Sequence, residues 1–174
     1  MNTPDAIDRL CLACGLCCNG VLFRDVELQG GDNPEALQKL GLPILRSRFA
    51  QPCPALCDGN KCRVYEQRPK RCHDFECGVL KAVIAGKRSV DDALRLVRRT
   101  LGHVVRIKAL LRKLDDCDEH LPLARRFRRT QRRVETSQLD EASADLFAEL
   151  ALEVHHLNLL TYAHFYTRET VDTP

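Results

Sequence analysis

Nine of the ten cysteines in this 174-residue chain lie within its first 77 positions. Four fill the run Cys11-Leu-Ala-Cys14-Gly-Leu-Cys17-Cys18, and Cys53, Cys57, Cys62, Cys72 and Cys77 follow. So dense a thiol array dictates how the first half folds, because it must cross-link, react or hold metal. The opening Met1-Asn-Thr-Pro-Asp-Ala-Ile-Asp-Arg9 carries acids and lacks the apolar stretch of a secretory leader. No apolar run approaches the ~18 residues of a membrane span. These features predict a cytoplasmic protein with no membrane segment. Cytosolic thiols stay reduced, which argues against a disulfide framework and for metal.

The spacing sharpens that expectation. In Cys11-x2-Cys14-x2-Cys17 a tight knuckle can aim several thiolates at one centre, with Gly15 easing the turn. Ferredoxin-type clusters open with this spacing, whereas zinc knuckles recruit a second cysteine pair from a distance. Spacing alone does not separate the two metals. Cys17 and Cys18 are adjacent, and adjacent side chains diverge. One then faces a first metal and the other a second, so a multi-metal or cluster centre is expected. Iron–sulfur is favoured over zinc or iron ions. A disulfide-relay role would need an exposed Cys-x2-Cys at a helix start, and none is evident at Cys11–Cys14.

Around the cysteines the chain reads as mainly α, with a small irregular or β cysteine-rich region over residues 1–80 and a helical region over 81–174. The two are expected to form one compact unit. Residues 21–28 predict a strand. Asp32 or Asn33 caps a short helix with Pro34 at its start and Gly41 just past its end. Residues 54–63 predict a hairpin around Asp58-Gly59-Asn60, and Pro69 starts a short helix bearing Cys72. Beyond Ser89-Val-Asp-Asp92, a variant capping box, the residues Leu94, Val97, Leu101, Val104, Val105, Leu111 and Leu114 recur at helical spacing over 90–115. Gly102 marks a kink or a close helix contact there. Leu121-Pro122 opens a basic helix to Val134. Ser137-Gln-Leu-Asp140 caps a last helix over 138–166, striped by Leu139, Ala142, Leu146, Leu150, Val154, Leu157 and Leu160. Two such stripes must be buried, and the long C-terminal helices are expected to pack as an antiparallel layer with the basic helix between them. The chain has no Trp and only nine Tyr and Phe, so this core is aliphatic.

The run Cys11 to Cys18, then Cys53-Pro-Ala-Leu56, then Cys62-Arg-Val-Tyr-Glu-Gln-Arg-Pro-Lys-Arg-Cys72 resembles the CxxCxxCC family, the zinc- or iron-chelating domains also called YkgJ-type cysteine-cluster proteins. The resemblance covers roughly residues 9–80. It implies metal ligation by Cys11, Cys14, Cys17, Cys18, Cys53, Cys62 and Cys72, with Cys77 an eighth ligand and Cys57 the spare thiol. It also implies that Tyr65, Glu66 and Arg68 support the centre, with Arg68, Lys70 and Arg71 offsetting thiolate charge. A plainer role for Glu66 is an ion pair with Arg68 or Arg71. The helix start fixed by Pro69 is expected to lower the pKa of Cys72. A similar cysteine cluster in flagellin lysine methylases hints at methyl transfer.

Other residues have plainer readings. Cys117 is expected as a half-buried core thiol. His73 adjoins Cys72 but is poorly placed to share its metal, and His155, His156 and His164 read as surface or satisfied histidines. Asp115, Asp116, Asp118 and Glu119 read as a solvated acidic loop. Arg125, Arg126, Arg128, Arg129, Arg132 and Arg133 form a basic face that pairs with nearby acids or docks an acidic protein. Nucleic acid is disfavoured, because only Phe127 is near for stacking and the formal net charge is only +3. No phosphate loop, dinucleotide fingerprint, serine elbow or HExxH appears. Three functions follow in order: a metal-binding cysteine-cluster protein, a metal-dependent enzyme, and a zinc-stabilised interaction module with a basic docking helix.

Overall fold

The structure is a computed structural model that describes residues 3–136 and 140–167. Its contacts divide the chain into two units: residues 11–75 with 119–125, and residues 1–10, 76–118 and 126–174. Helices dominate, and the cysteine-rich stretch carries the small β component, as the pattern predicted. In chain order the elements are α1 (Thr3–Cys14), β1 (Asp25–Glu27), α2 (Pro34–Lys39), β2 (Arg48–Ala50), α3 (Lys70–Asp74), α4 (Gly78–Ile84), α5 (Val90–Lys113), α6 (Leu123–Thr136) and α7 (Glu141–His164).

In the cysteine-rich unit, β1 and β2 pair antiparallel with Val26 opposite Phe49. Both are buried, and with Leu37, Leu42, Ala55 and Val64 they form a small apolar core. The predicted strand over 21–28 shortens to Asp25–Glu27. Its first residues turn back instead: Leu22 N–H donates to the Leu16 carbonyl at 3.1 Å, and Val21 N–H to Asn19 Oδ1 at 3.2 Å. Asn33 caps α2 by accepting from Ala36 N–H at 3.0 Å, and Pro34 opens the helix. The hairpin closes through the antiparallel bridge of Leu56 with Cys62, around the turn Asp58–Asn60.

In the helical unit, Ser89 Oγ accepts from Asp92 N–H at 3.1 Å and starts α5. The buried face of α5 comprises Ala93, Leu96, Val97, Thr100, Val104, Ile107, Leu110 and Leu111. Val105, assigned to the stripe from its spacing, points outward at 67% exposure. It lies one position past Val104, where the 3.6-residue period turns it away. Gly102 causes no kink, since α5 runs unbroken through it, and a side chain there would meet nothing within 4 Å. α6 begins directly after Pro122, as expected. Asp140 caps α7 by accepting from Ser143 N–H at 2.7 Å, while Ser137 and Leu139 lie outside the described residues.

α5 and α7 run antiparallel, for Arg106 meets Glu149 while His103 meets Glu153 further along. α6 joins them through Phe127, stacked on Phe147 with ring centroids 6.0 Å apart. The carboxy-terminal end of α7 folds against the start of α4. Gly78 N–H donates to the Phe165 carbonyl at 2.9 Å, and a Cβ on Gly78 would stand 2.5 Å from the His164 carbonyl oxygen. Phe165 is itself 1% exposed.

The acidic loop is solvated only in part: Asp115 and Glu119 are exposed, but Asp116 is not. Asp116 and Arg126 are both buried, and Asp116 Oδ1 accepts from Arg126 Nε at 2.9 Å. Arg129 Nη2 reaches Asp116 Oδ2 at 2.7 Å, and Arg133 donates to the Leu114 carbonyl. Three arginines of the basic helix are thus spent on the end of α5. A buried carboxylate needs such partners to stay charged, which sequence proximity alone did not reveal.

Candidate metal centre

Three stretches of the cysteine-rich unit converge on one place. The first is the end of α1, where the sequence suggested a knuckle without a helix. The helix in fact runs through Cys11 to Cys14, and Gly15, at φ +64°, ends it in the left-handed conformation that glycine tolerates. Cys11 and Cys14 therefore sit on a helix end, not on the helix start that a disulfide relay uses. The second stretch is joined to the first by backbone, because Cys53 N–H donates to the Cys18 carbonyl at 2.8 Å. The hairpin then sets Cys62 opposite Leu56. The third is α3, pinned by Asp32, whose carboxylate accepts from Lys70 N–H at 2.8 Å and Gln29 N–H at 2.7 Å. Cys53, Cys62 and Cys72 pack on the small apolar core.

The hairpin tip is tied to α1. Asn60 Nδ2 donates to the Leu12 carbonyl at 2.8 Å, satisfying a carbonyl in the last turn of the helix. A Cβ on Gly15 would fall 2.2 Å from Asn60 Oδ1. Gly15→Ala is expected to expel Asn60 and add the left-handed penalty of about 1–2 kcal/mol. A fall in urea midpoint, together with weaker metal retention, checks it; unchanged unfolding would refute this role.

Electrostatics show which thiols crowd together. Burial pushes the Cys18 thiol up to about 12, and Cys53, Cys62 and Cys11 add to the rise while Arg68 opposes it. Burial likewise pushes Cys72 up to about 12, helped by Cys18, Cys53 and Cys62 and again opposed by Arg68. Cys53 also rises, first through burial, against the backbone N–H of Ala55 and with Cys62 adding. The expectation that the α3 start lowers Cys72 is therefore overturned: desolvation and neighbouring thiols outweigh five residues of helix.

The remaining candidates are placed as follows. Cys14 and Cys17 are half-buried in the same unit, and Cys11 is exposed. Cys77 is half-buried and belongs to the helical unit, at the N-cap of α4. Burial raises its thiol, while the backbone N–H groups of Leu80 and Val79 counter the rise. Cys57 is exposed, and so is Cys117, which is not the core thiol its helical setting suggested. It follows the end of α5, where the chain has left the packed face. His73 is paired with Asp74 at 3.0 Å. Glu66 is exposed. The Arg68 guanidinium lies 4.0 Å over the Tyr65 ring, a cation–π contact that holds it in place.

Residues 10–89 match a family model, CxxCxxCC, described as a "putative zinc- or iron-chelating domain". Residues 10–89 are thus similar to the CxxCxxCC family. The match takes in every amino-terminal cysteine and ends at Ser89, the cap of α5. Comparisons with curated proteins and with solved structures each found no match. Among the described residues, no helix is long and apolar enough to cross a membrane.

The cysteine-rich unit of this chain fits a thiolate-bound metal. Thiolates are soft donors that select zinc, copper(I) and iron–sulfur centres over calcium or magnesium. Arg68 Nε is buried with no hydrogen-bond partner, although such a donor is costly to leave unmade. A thiolate near Cys18 and Cys72, the thiols that Arg68 acts on, would supply the acceptor it lacks.

Proposed function

We propose that the chain is a cytoplasmic metal-binding protein whose CxxCxxCC domain holds an iron–sulfur cluster or zinc or iron ions. The ligands in this reading are Cys11, Cys14, Cys17, Cys18, Cys53, Cys62, Cys72 and Cys77. One observation carries it: Cys53 and Cys62, distant in sequence, both push up the thiols of Cys18 and Cys72 around a buried, unpartnered Arg68 nitrogen. Thiols so crowded are poorly stable as anions without a cation, and burial keeps those of Cys18, Cys53 and Cys72 protonated until one arrives. Binding then releases protons and stabilises the fold together. Arg68 offsets part of the thiolate charge and donates to sulfur, which tunes affinity and potential. An iron–sulfur cluster, favoured by the Cys-x2-Cys-x2-Cys opening, would supply one-electron transfer when bound.

Elemental analysis and a visible spectrum of anaerobically isolated protein test this. The expected result is stoichiometric iron with the broad visible absorption of a cluster. A colourless protein with stoichiometric zinc would remove the iron–sulfur preference and keep the chelating role. A folded protein free of transition metal would overturn both.

A further inference from the structure

Glu153 breaks the burial pattern of α7. It lies among the buried Leu150, Leu157 and Leu160 and is itself 5% exposed. A carboxylate there is costly unless it is paired. Its Oε2 stands 2.7 Å from His103 Nδ1 on α5, and its Oε1 is 3.1 Å from Arg106. Those two partners already satisfy the carboxylate. His156, three residues along α7 and so on the same face, is surplus to that need. Yet its ring is 5.8 Å from that of His103, centroid to centroid. One ligating atom from each of His103, Glu153 and His156 lies within 4.8 Å of the other two.

We propose that these three residues form a divalent metal site within the helical unit, built without any cysteine. Two imidazoles and one carboxylate suit a borderline ion such as zinc or ferrous iron, not calcium or magnesium, which take oxygen ligands. Ligands about 2.0–2.2 Å from zinc stand roughly 3.3 Å apart in a tetrahedral site, so small side-chain rotations close this one. Arg106 holds the far carboxylate oxygen and orients Glu153, as outer partners of metal ligands do. Three protein ligands leave a coordination position open. The three residues line a cavity of about 360 Å³ together with Arg99 and Arg106. The guanidinium groups there suit water or a small anion as the remaining ligand, and they lessen the repulsion such an anion would otherwise meet from Glu153.

The test uses the full chain as isolated, with its metal content measured first and cobalt(II) then added. The expected result is one further equivalent bound. Its spectrum lacks thiolate charge transfer, and the ring signals of His103 and His156 broaden in NMR spectra. His156 is exposed, so His156→Ala is expected to fold normally, keep the metal present on isolation and lose the added equivalent; His103→Gln is expected to do the same. Sharp ring signals in the wild type, or undiminished uptake by His156→Ala, would overturn the site. So would loss of the original metal in His156→Ala, which would assign this histidine to the cysteine centre. An uptake that fails while the original metal is present leaves the cysteine reading intact, so the two proposals fail separately.

Discussion

Cys62→Ser is expected to release most of the metal bound by the amino-terminal domain and to destabilise it severely. Cys62 sits on the hairpin, packs on the small core and acts electrostatically on Cys18, Cys53 and Cys72. A serine hydroxyl is a poor ligand for soft metals, so the centre loses one of its thiolate donors. Structural zinc contributes on the order of 10 kcal/mol in small domains, and losing even half of that exceeds the margin of a six-residue apolar core. Metal content per chain and the urea midpoint, measured together, check it. Cys14→Ser is expected to behave similarly, whereas Cys117→Ser, at an exposed thiol outside the family match, should change neither quantity. Full metal content in Cys62→Ser would remove it from the ligand set.

The second large effect concerns the helical unit. Asp116→Ala leaves Arg126, at 1% exposure, charged and stripped of its carboxylate partner. Removing one member of a buried pair costs about 3–5 kcal/mol, a large part of a domain's stability. Thermal unfolding of the variant should show a fall of that size. Replacing both members, Asp116→Leu with Arg126→Met, should recover much of it, because no buried charge then remains. A single variant as stable as the wild type would mean that water or relaxation satisfies Arg126.

The same pair gives a pH dependence of definite sign. Burial raises the Asp116 carboxyl, but the hydrogen bonds and charges of Arg126 and Arg129 together outweigh it and hold the carboxyl below its ordinary range. The unfolded chain therefore binds this proton at higher pH than the folded one. The pair's contribution is complete above the unfolded value and declines as pH falls through the folded one. Asp116→Ala should accordingly show a flatter stability profile in acid than the wild type.

The sequence disclosed what depends on local pattern. Helices α5 and α7 were legible in their period, the caps Asn33, Ser89 and Asp140 in their residue types, and the cysteine stretch in its spacing. Non-local pairings were not legible. Nothing near Asp116 announces that it will be buried by an arginine ten positions on, and a charged run reads as solvated until its partners are known. Cys11 to Cys14 concealed a helix because the knuckle spacing and a last helical turn both place cysteines three apart. Cys72 shows the limit for site chemistry: a helix start suggested a lowered thiol pKa, but three thiols from other parts of the chain and desolvation decided it the other way. His103 offered no signal by itself. Glu153 did, as a lone acid inside an apolar stripe with His156 three residues later, a pattern visible in the sequence but outweighed there by the surface reading of the histidine.

The seam between Gly78 and the close of α7 bears on how the chain can be divided. The CxxCxxCC match ends at residue 89, yet Gly78 is bonded to Phe165 and leaves no room for a methyl group against the His164 carbonyl. A fragment trimmed to the family's borders would strand α4 with its apolar side uncovered and an amide without its acceptor. Borders drawn by ancestry and borders drawn by packing do not coincide in this molecule, and expression of the shorter piece would inherit an adhesive surface that the intact polypeptide hides.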